Sequence, residues 1–115
     1  LIKLKQLFKN KVMLYVTTKQ NIVVGGTLIF FLNQTVCLIF YNVIKKEYRG
    51  SHLASLQLYN AIKVAQEKKY SIVDFGVSHQ PEKENPLIPK FSLIHFKEQF
   101  SSRGCMRIVL KKELI

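Results

Sequence analysis

Two short stretches carry residue types and spacings suited to chemistry on an anionic substrate. The first is EYRGSHLASLQ, residues 47–57. A helix N-terminus offers unpaired N–H groups and a partial positive charge, and a first turn commonly carries Asp or Glu to match. Here no acid stands between Arg49 and Gln66, and Arg49, Ser51 and His52 occupy the entrance instead. Such an end is open to a ligand's phosphate; Ser51 as a plain N-cap is the competing reading. The second stretch, YSIVDFGVSHQ at residues 70–80, holds Asp74-Phe75-Gly76. That triplet binds magnesium in protein kinases, but a kinase also needs a Gly-rich loop, a strand lysine and a His-Arg-Asp loop with its Asn, none of which is present. At a strand end the triplet has a structural logic of its own. Phe75 fills core, Gly76 turns the chain, and Asp74 accepts N–H groups from the loop that follows.

Positioning these stretches takes a sheet and a crossover helix. Residues 1–8 read as the tail of a helix, with Leu1, Leu4, Leu7 and Phe8 on one face. Residues 12–18, 22–32 and 35–43 read as an antiparallel meander, turned at Lys19-Gln20-Asn21 and at Asn33-Gln34-Thr35. The Gly25-Gly26 pair marks a bulge or bend. Over residues 51–69 the apolar Leu53, Leu56, Leu58, Tyr59, Ile62 and Ala65 recur at spacings of three and four, which predicts an amphipathic helix with its stripe toward a sheet. Residues 70–75 form a short apolar strand, and strand–helix–strand predicts a right-handed crossover and a parallel pair. A loop over 76–90 holds all three prolines, Pro81, Pro86 and Pro89. Residues 91–102 form a shorter helix, with Phe96 and Phe100 one turn apart and Gly104 as its stop. Residues 105–111 are the expected last strand. The fold class is therefore α+β (mixed α/β), with a mostly antiparallel sheet.

The 115 residues suit one domain, and 48% apolar composition allows a sizeable core. Formal net charge is +11, from eighteen Lys and Arg against seven Asp and Glu. That excess attracts phosphate, nucleic acid or an anionic cofactor, while scattered lysine also reads as a solvated face. Cys37 and Cys105 have neither zinc spacing nor a CxxC, so no metal site is expected. Both sit in apolar runs and are expected to be buried free thiols in a reducing cytoplasm. Residues 20–44 carry no charge, a length that spans a bilayer. The Gly and Asn interruptions and the β-branched and aromatic content favour two buried strands instead. No integral membrane segment or signal peptide is expected.

The element order resembles the GNAT acyltransferase fold from its second strand onward. Members of that fold hold the pyrophosphate of acyl-CoA on the backbone of an Arg/Gln-x-x-Gly-x-Gly/Ala loop. The resemblance puts Arg49, Gly50, Ser51, His52, Leu53 and Ala54 on that loop. His52 stands where the pattern has glycine, so a side chain there crowds the phosphate. The run YNAIKVAQEKKYSIVDFGVSHQ, followed by LIHFKEQF at 93–100, resembles the FemAB-type and BioF2-like branch, whose members carry a strand ending Asp-Phe-Gly and a later Phe-Lys pair.

That likeness implies transfer of an acyl or aminoacyl group, from acyl-CoA such as acetyl-CoA or from aminoacyl-tRNA, to an amine. The acceptor in that branch is a cell-wall precursor, and a second GNAT-like domain is a further expected partner. Phe96, Lys97 and Asp74 are the implied catalytic residues, with Lys97 facing a developing oxyanion or a donor phosphate. Tyr48, His79 and His95 remain proton-transfer candidates. The chain begins at Leu1, and residues 1–115 are expected to be one GNAT-like domain without its N-terminal strand and helices. The alternatives are a basic module that binds tRNA and a catalytically inert subdomain.

Overall fold

The computed structural model describes residues 2–79, 88–106 and 110–114. Strands β1 (Val12–Lys19), β2 (Ile22–Phe30) and β3 (Val36–Ile44) pair antiparallel in sequence order. Gln20 and Asn21 join the first two with φ of 50° and 63°, the doubly positive pattern of a type I′ hairpin, whose twist matches that of the strands. The second turn is pinned by Asn33, whose Oδ1 accepts the N–H of Thr35 at 2.8 Å and of Val36 at 2.6 Å. The uncharged run from Gln20 to Ile44 is thus two sheet strands. Among the described residues, no helix is long and apolar enough to cross a membrane.

Helix α1 (Ile2–Phe8) precedes the sheet, and its Leu4 packs on Val12, Leu28 and Phe30. Helix α2 (Leu53–Glu67) crosses over to β4 (Ile72–Asp74), which lies parallel to β3 in register Val36↔Ile72 to Leu38↔Asp74. The sheet order is β1-β2-β3-β4, the expected mixed, mostly antiparallel sheet.

The core lies between Val12 and Ala65, with Val24, Ile29, Cys37 and Ala65 wholly buried. The buried face of α2 is Gln57, Leu58, Ala61 and Ala65, rotated from the expected stripe: Leu56 and Tyr59 are half exposed. Two alanines on this face let the helix backbone approach the sheet, and a glutamine takes a core position.

The chain ends α2 in a Schellman arrangement. Lys69 has a left-handed φ of 63°, its N–H reaches Gln66 O at 2.9 Å, and Tyr70 N–H reaches Ala65 O at 2.9 Å.

Bulges fall beside the glycine pair rather than on it. Thr17 opposes Gly25 and Thr18 opposes Val23, so Val24 is the extra residue; in β3, Phe40 is skipped between the pairs Leu28↔Tyr41 and Ile29↔Ile39. Gly25 and Gly26 stay in register and serve close approach instead.

The chain divides into two compact units, Leu1–Val77 and Ser78–Ile115. In the second, α3 (Phe91–Glu98) begins after an antiparallel bridge between His79 and Pro89. Lys90 N–H also donates to Ser78 O at 2.9 Å. The Phe96 and Phe100 rings meet edge-on at 5.7 Å, as their spacing predicts.

Three expectations fail in this unit. The helix stops at Glu98, where Phe100 and Ser101 N–H close tight turns onto Lys97 and Glu98 and Ser101 takes φ 60°, so Gly104 is not its stop. Cys105 is exposed, not buried. Residues 105, 106, 110 and 111 are not in a strand; the rest of the expected last strand, and residues 80–87 of the proline loop, lie outside the described residues.

Candidate donor site at the entrance of α2

The segment between β3 and α2 is folded on itself by short-range bonds. A 3-10 turn spans Lys46–Tyr48. Tyr48 N–H donates to Lys45 O at 2.9 Å, Ser51 N–H donates to Tyr48 O at 3.2 Å, and Lys45 N–H ties the segment to Val24 O at 2.8 Å. The Ser51 hydroxyl also donates to Tyr48 O. This corrects the N-cap reading: Ser51 is turned back into the loop, and the N-cap is His52, which makes no side-chain cap bond.

The first intrahelical bond of α2 is Leu56 N–H to His52 O at 3.1 Å. The N–H groups of Leu53, Ala54 and Ser55 therefore stand ahead of the helical ladder with no capping side chain, and the first turn holds no acid.

His52 has φ 57° and ψ 12°. This is the left-handed region, which glycine enters freely and other residues at some cost. The backbone at this position has the conformation that a glycine would adopt, although a histidine occupies it. Its side chain is exposed, as is that of Arg49.

A buried polar cluster holds the entrance against the sheet. Asn42 of β3 donates from Nδ2 to Ala54 O at 3.2 Å; its Oδ1 accepts Thr27 Oγ1 at 3.0 Å and Gln57 Nε2 at 2.7 Å. Gln57 Nε2 also reaches Val43 O at 3.1 Å. Gln57 is 5% exposed, and its Oε1 is buried with no hydrogen-bond partner among the described residues. Gly25 makes room for it: a Cβ there would stand 2.5 Å from Val43 O and 2.6 Å from Gln57 Oε1. Sequence reasoning missed this cluster. Its signals were an asparagine inside an apolar strand and a glycine pair facing a helix that carries a glutamine.

Below the entrance, β3 and β4 part. Their last pair is Leu38↔Asp74, and the Phe40 bulge follows at once on β3. Asp74 closes a turn, its Oδ1 accepting Gly76 N–H at 2.7 Å, and Gly76 takes φ 74°; both follow the structural reading of the triplet. Burial pushes the Cys37 thiol above its ordinary 9.0, against a smaller lowering by a backbone hydrogen bond and with a still smaller push from the Asp74 carboxylate.

Arg49, Gly50, Ser51, His52, Leu53 and Ala54 thus lie together at one helix entrance, and Asp74 ends a strand of the same unit. Phe96 and Lys97 belong to α3 of the second unit. Lys97 is half-buried there, and its Nζ donates to Ser78 Oγ at 2.9 Å. Among the described residues no three His, Cys, Asp or Glu side chains gather as metal ligands.

No family model matches the sequence, and no curated protein does. Solved structures do match. A GNAT family acetyltransferase from Elizabethkingia anophelis, with acetyl-CoA bound, aligns over 85% of this chain at 13% identity and TM-score 0.64. The chain has the GNAT fold. A ribosomal-protein-alanine N-acetyltransferase from Brucella melitensis aligns over 96% of this chain and 74% of its own, at 12% identity and TM-score 0.69. A possible acetyltransferase from Clostridium difficile 630 aligns over 99% and 73%, at 21% identity and TM-score 0.68. The chain spans 58% of the length of the Elizabethkingia protein. At the uncapped entrance of α2 the sequence is Arg49-Gly50-Ser51-His52-Leu53-Ala54, which agrees with the expected loop pattern at Arg49 and Ala54 and departs from it at His52.

Proposed function

We infer that this chain is an acyltransferase domain whose donor is acyl-CoA, held by the backbone of residues 49–54. The observation that carries this is the conformation of His52. The loop keeps a left-handed residue where the pattern has glycine, so the amides that follow are presented uncapped toward a phosphate. Arg49 adds charge beside them. The bound acetyl-CoA of the Elizabethkingia neighbour supports CoA as the donor, and the name of the Brucella neighbour supports an amine as the acceptor.

The donor supplies an activated acyl carbonyl, and the chain's part is to hold and orient it. Among the described residues the β3–β4 pairing ends at Leu38↔Asp74, and the backbone of β3 near the Phe40 bulge is the proposed place where that carbonyl is polarised. Proximity of the amine then does most of the work. Lys97 is assigned the stabilisation of oxyanion or phosphate charge, Phe96 the packing of α3, and Asp74 the orientation of the amine. In the finer FemAB-like reading, aminoacyl-tRNA replaces CoA, a cell-wall precursor is the acceptor and the setting is cytoplasmic; the Asp-Phe-Gly and Phe-Lys motifs support it.

The test is a CoA titration followed at backbone amides. Saturable shifts at residues 49–55, weakened about tenfold in Arg49→Ala by the loss of one charge-assisted contact, are expected. Silence there at millimolar CoA rejects CoA as donor and leaves aminoacyl-tRNA or an inert subdomain. Loss of transfer in Lys97→Ala is the expected signature of its assigned role, with CoA affinity unchanged if the charge it faces is the oxyanion's and weakened if it is the donor phosphate's.

A further inference from the structure

At the opposite end of α2 from the donor loop, three chain segments surround a depression of about 510 Å³. They are the entry to β1, the β2–β3 connection and the α2–β4 connection. Backbone bonds lock all three: Phe31 N–H to Lys11 O at 2.7 Å, Ser71 N–H to Thr35 O at 3.0 Å, and Ile72 N–H to Thr35 O at 3.1 Å. The fifteen residues of α2 make about 22 Å of helix between this place and the donor loop. The depression lies where β3 and β4 are still paired and belongs to no part of the site described above.

Its chemistry is consistent from wall to wall. Phe31, buried, and Tyr70, half-buried, form an aromatic base with ring centroids 5.2 Å apart. Lys68 Nζ stands 5.4 Å from the Phe31 centroid, and Lys11 lines the depression with it. Both lysines are exposed, and neither has an ion-pair partner among the described residues. Among the described residues no acid lines the depression, and Asn10 and Gln34 contribute side-chain amides. A helix C-terminus normally opposes an anion. Here the carbonyls of Val64, Ala65 and Gln66 accept the N–H groups of Lys68, Tyr70 and Lys69, so these three do not draw on the lysine charge.

We propose that this depression binds a nucleotide, with the phosphate on Lys11 and Lys68, the base over Tyr70, and the amides of Asn10 and Gln34 toward its polar edge. Two cations suit a phosphate, an aromatic face suits any base, amides offer both donors and acceptors, and the volume lies in the range of small-molecule sites. The same chemistry is presented by a free nucleotide and by one unit of a single-stranded RNA, for which the net charge of +11 provides long-range attraction. The proposal does not rest on CoA being the acyl donor.

The test is a titration of labelled protein with AMP, with short oligoadenylate and with inorganic phosphate, read at the amides of residues 31–34 and 68–70. Saturable shifts with AMP and oligoadenylate are expected, and weaker ones with phosphate. Joint Lys11→Ala and Lys68→Ala substitution, at two exposed positions, should weaken binding about tenfold or more and flatten its salt dependence. Tyr70→Leu should weaken it roughly fivefold or more through lost stacking. A response to oligoadenylate without one to AMP assigns the site to RNA and supports the proposal. Equal affinity for phosphate and AMP, shifts confined to residues 49–54, or no saturation at millimolar ligand overturns it.

Discussion

The two units of the chain are held in different ways. In Leu1–Val77 the sheet and α2 share a core, and every buried residue among those described lies there, from Val12 to Ala65. In Ser78–Ile115 no described residue is buried, and the contacts described around α3 include the Phe96–Phe100 ring pair, the Lys97–Ser78 bond and the turn onto Ser78. The entrance of α2, the proposed donor site, is held by a core and a buried polar cluster, so its amides are placed by the fold. Phe96 and Lys97, the side chains of α3 proposed for catalysis, are half-buried, and no described residue of their unit is buried. Local opening costs least where buried contacts are few.

The cysteines sharpen that contrast most, because one lies in each unit. Cys37 is wholly buried and Cys105 exposed. Alkylation near pH 8 should label Cys105 at the rate of a free thiol and Cys37 slower by about three orders of magnitude, since opening of a core strand costs on the order of 4 kcal/mol or more. Raising the pH should not release Cys37. Its thiol stays protonated past 9.0 because burial, and then Asp74, disfavour the thiolate. The unfolded chain loses this proton first, so stability is intact below the unfolded value and declines as pH rises through the folded one. Equal labelling rates would mean that the sheet opens as readily as the second unit.

Gly25→Ala is the next largest expected effect. The added methyl meets a strand carbonyl at 2.5 Å and the Gln57 amide at 2.6 Å. A backbone oxygen cannot swing away as a side chain can, so about 2–3 kcal/mol of destabilisation is expected by denaturant unfolding. The donor-loop amides should shift with it, since Asn42 links Gln57 to Ala54 O. Gly104→Ala, with open space around it, is the control and should change stability by less than about 0.5 kcal/mol. A Gly25→Ala protein as stable as that control would dissolve the claim that the cluster is tightly packed.

The same contrast explains what the sequence made legible. The meander, α2 and the parallel β4 are written in period and turn chemistry: alternating and continuous apolar runs, Gln20-Asn21, and the Asn33 turn. The rotation of α2 was not, because hydrophobicity alone favours Leu56 and Tyr59 over Gln57 as inward residues. What decides is a pair of strand glycines and an asparagine whose partners are distant in sequence. In the second unit the expected last strand is absent at residues 105, 106, 110 and 111, where no neighbouring strand pairs with an apolar run; residues 107–109 lie outside the described residues. Within the candidate site, the open entrance of α2 was legible as an absence of acids, whereas the cap identity was not, because Ser51 finds its partner in Tyr48 O.

The smallest effects lie at the two ends of α2, both of which hold a left-handed residue that is not glycine. His52 precedes the helix with φ 57°, and Lys69 follows it with φ 63°. Either substitution to glycine relieves backbone strain of about 1 kcal/mol, partly offset by the greater freedom that glycine has in the unfolded chain. Lys69→Gly should therefore stabilise by a few tenths of a kcal/mol, up to about 1, with no change in CoA binding, because it completes a Schellman end that already has both its bonds. His52→Gly should stabilise by a similar amount and also strengthen CoA binding, because it removes a side chain from the approach to the Leu53 and Ala54 amides. Thermal unfolding reads the first effect and the CoA titration reads the second. Matching stability gains with a difference only in CoA affinity would confirm that the two ends share backbone physics and differ in function. An unchanged affinity in His52→Gly would mean that the imidazole does not stand over the phosphate path, and the obstruction by His52 would be rejected.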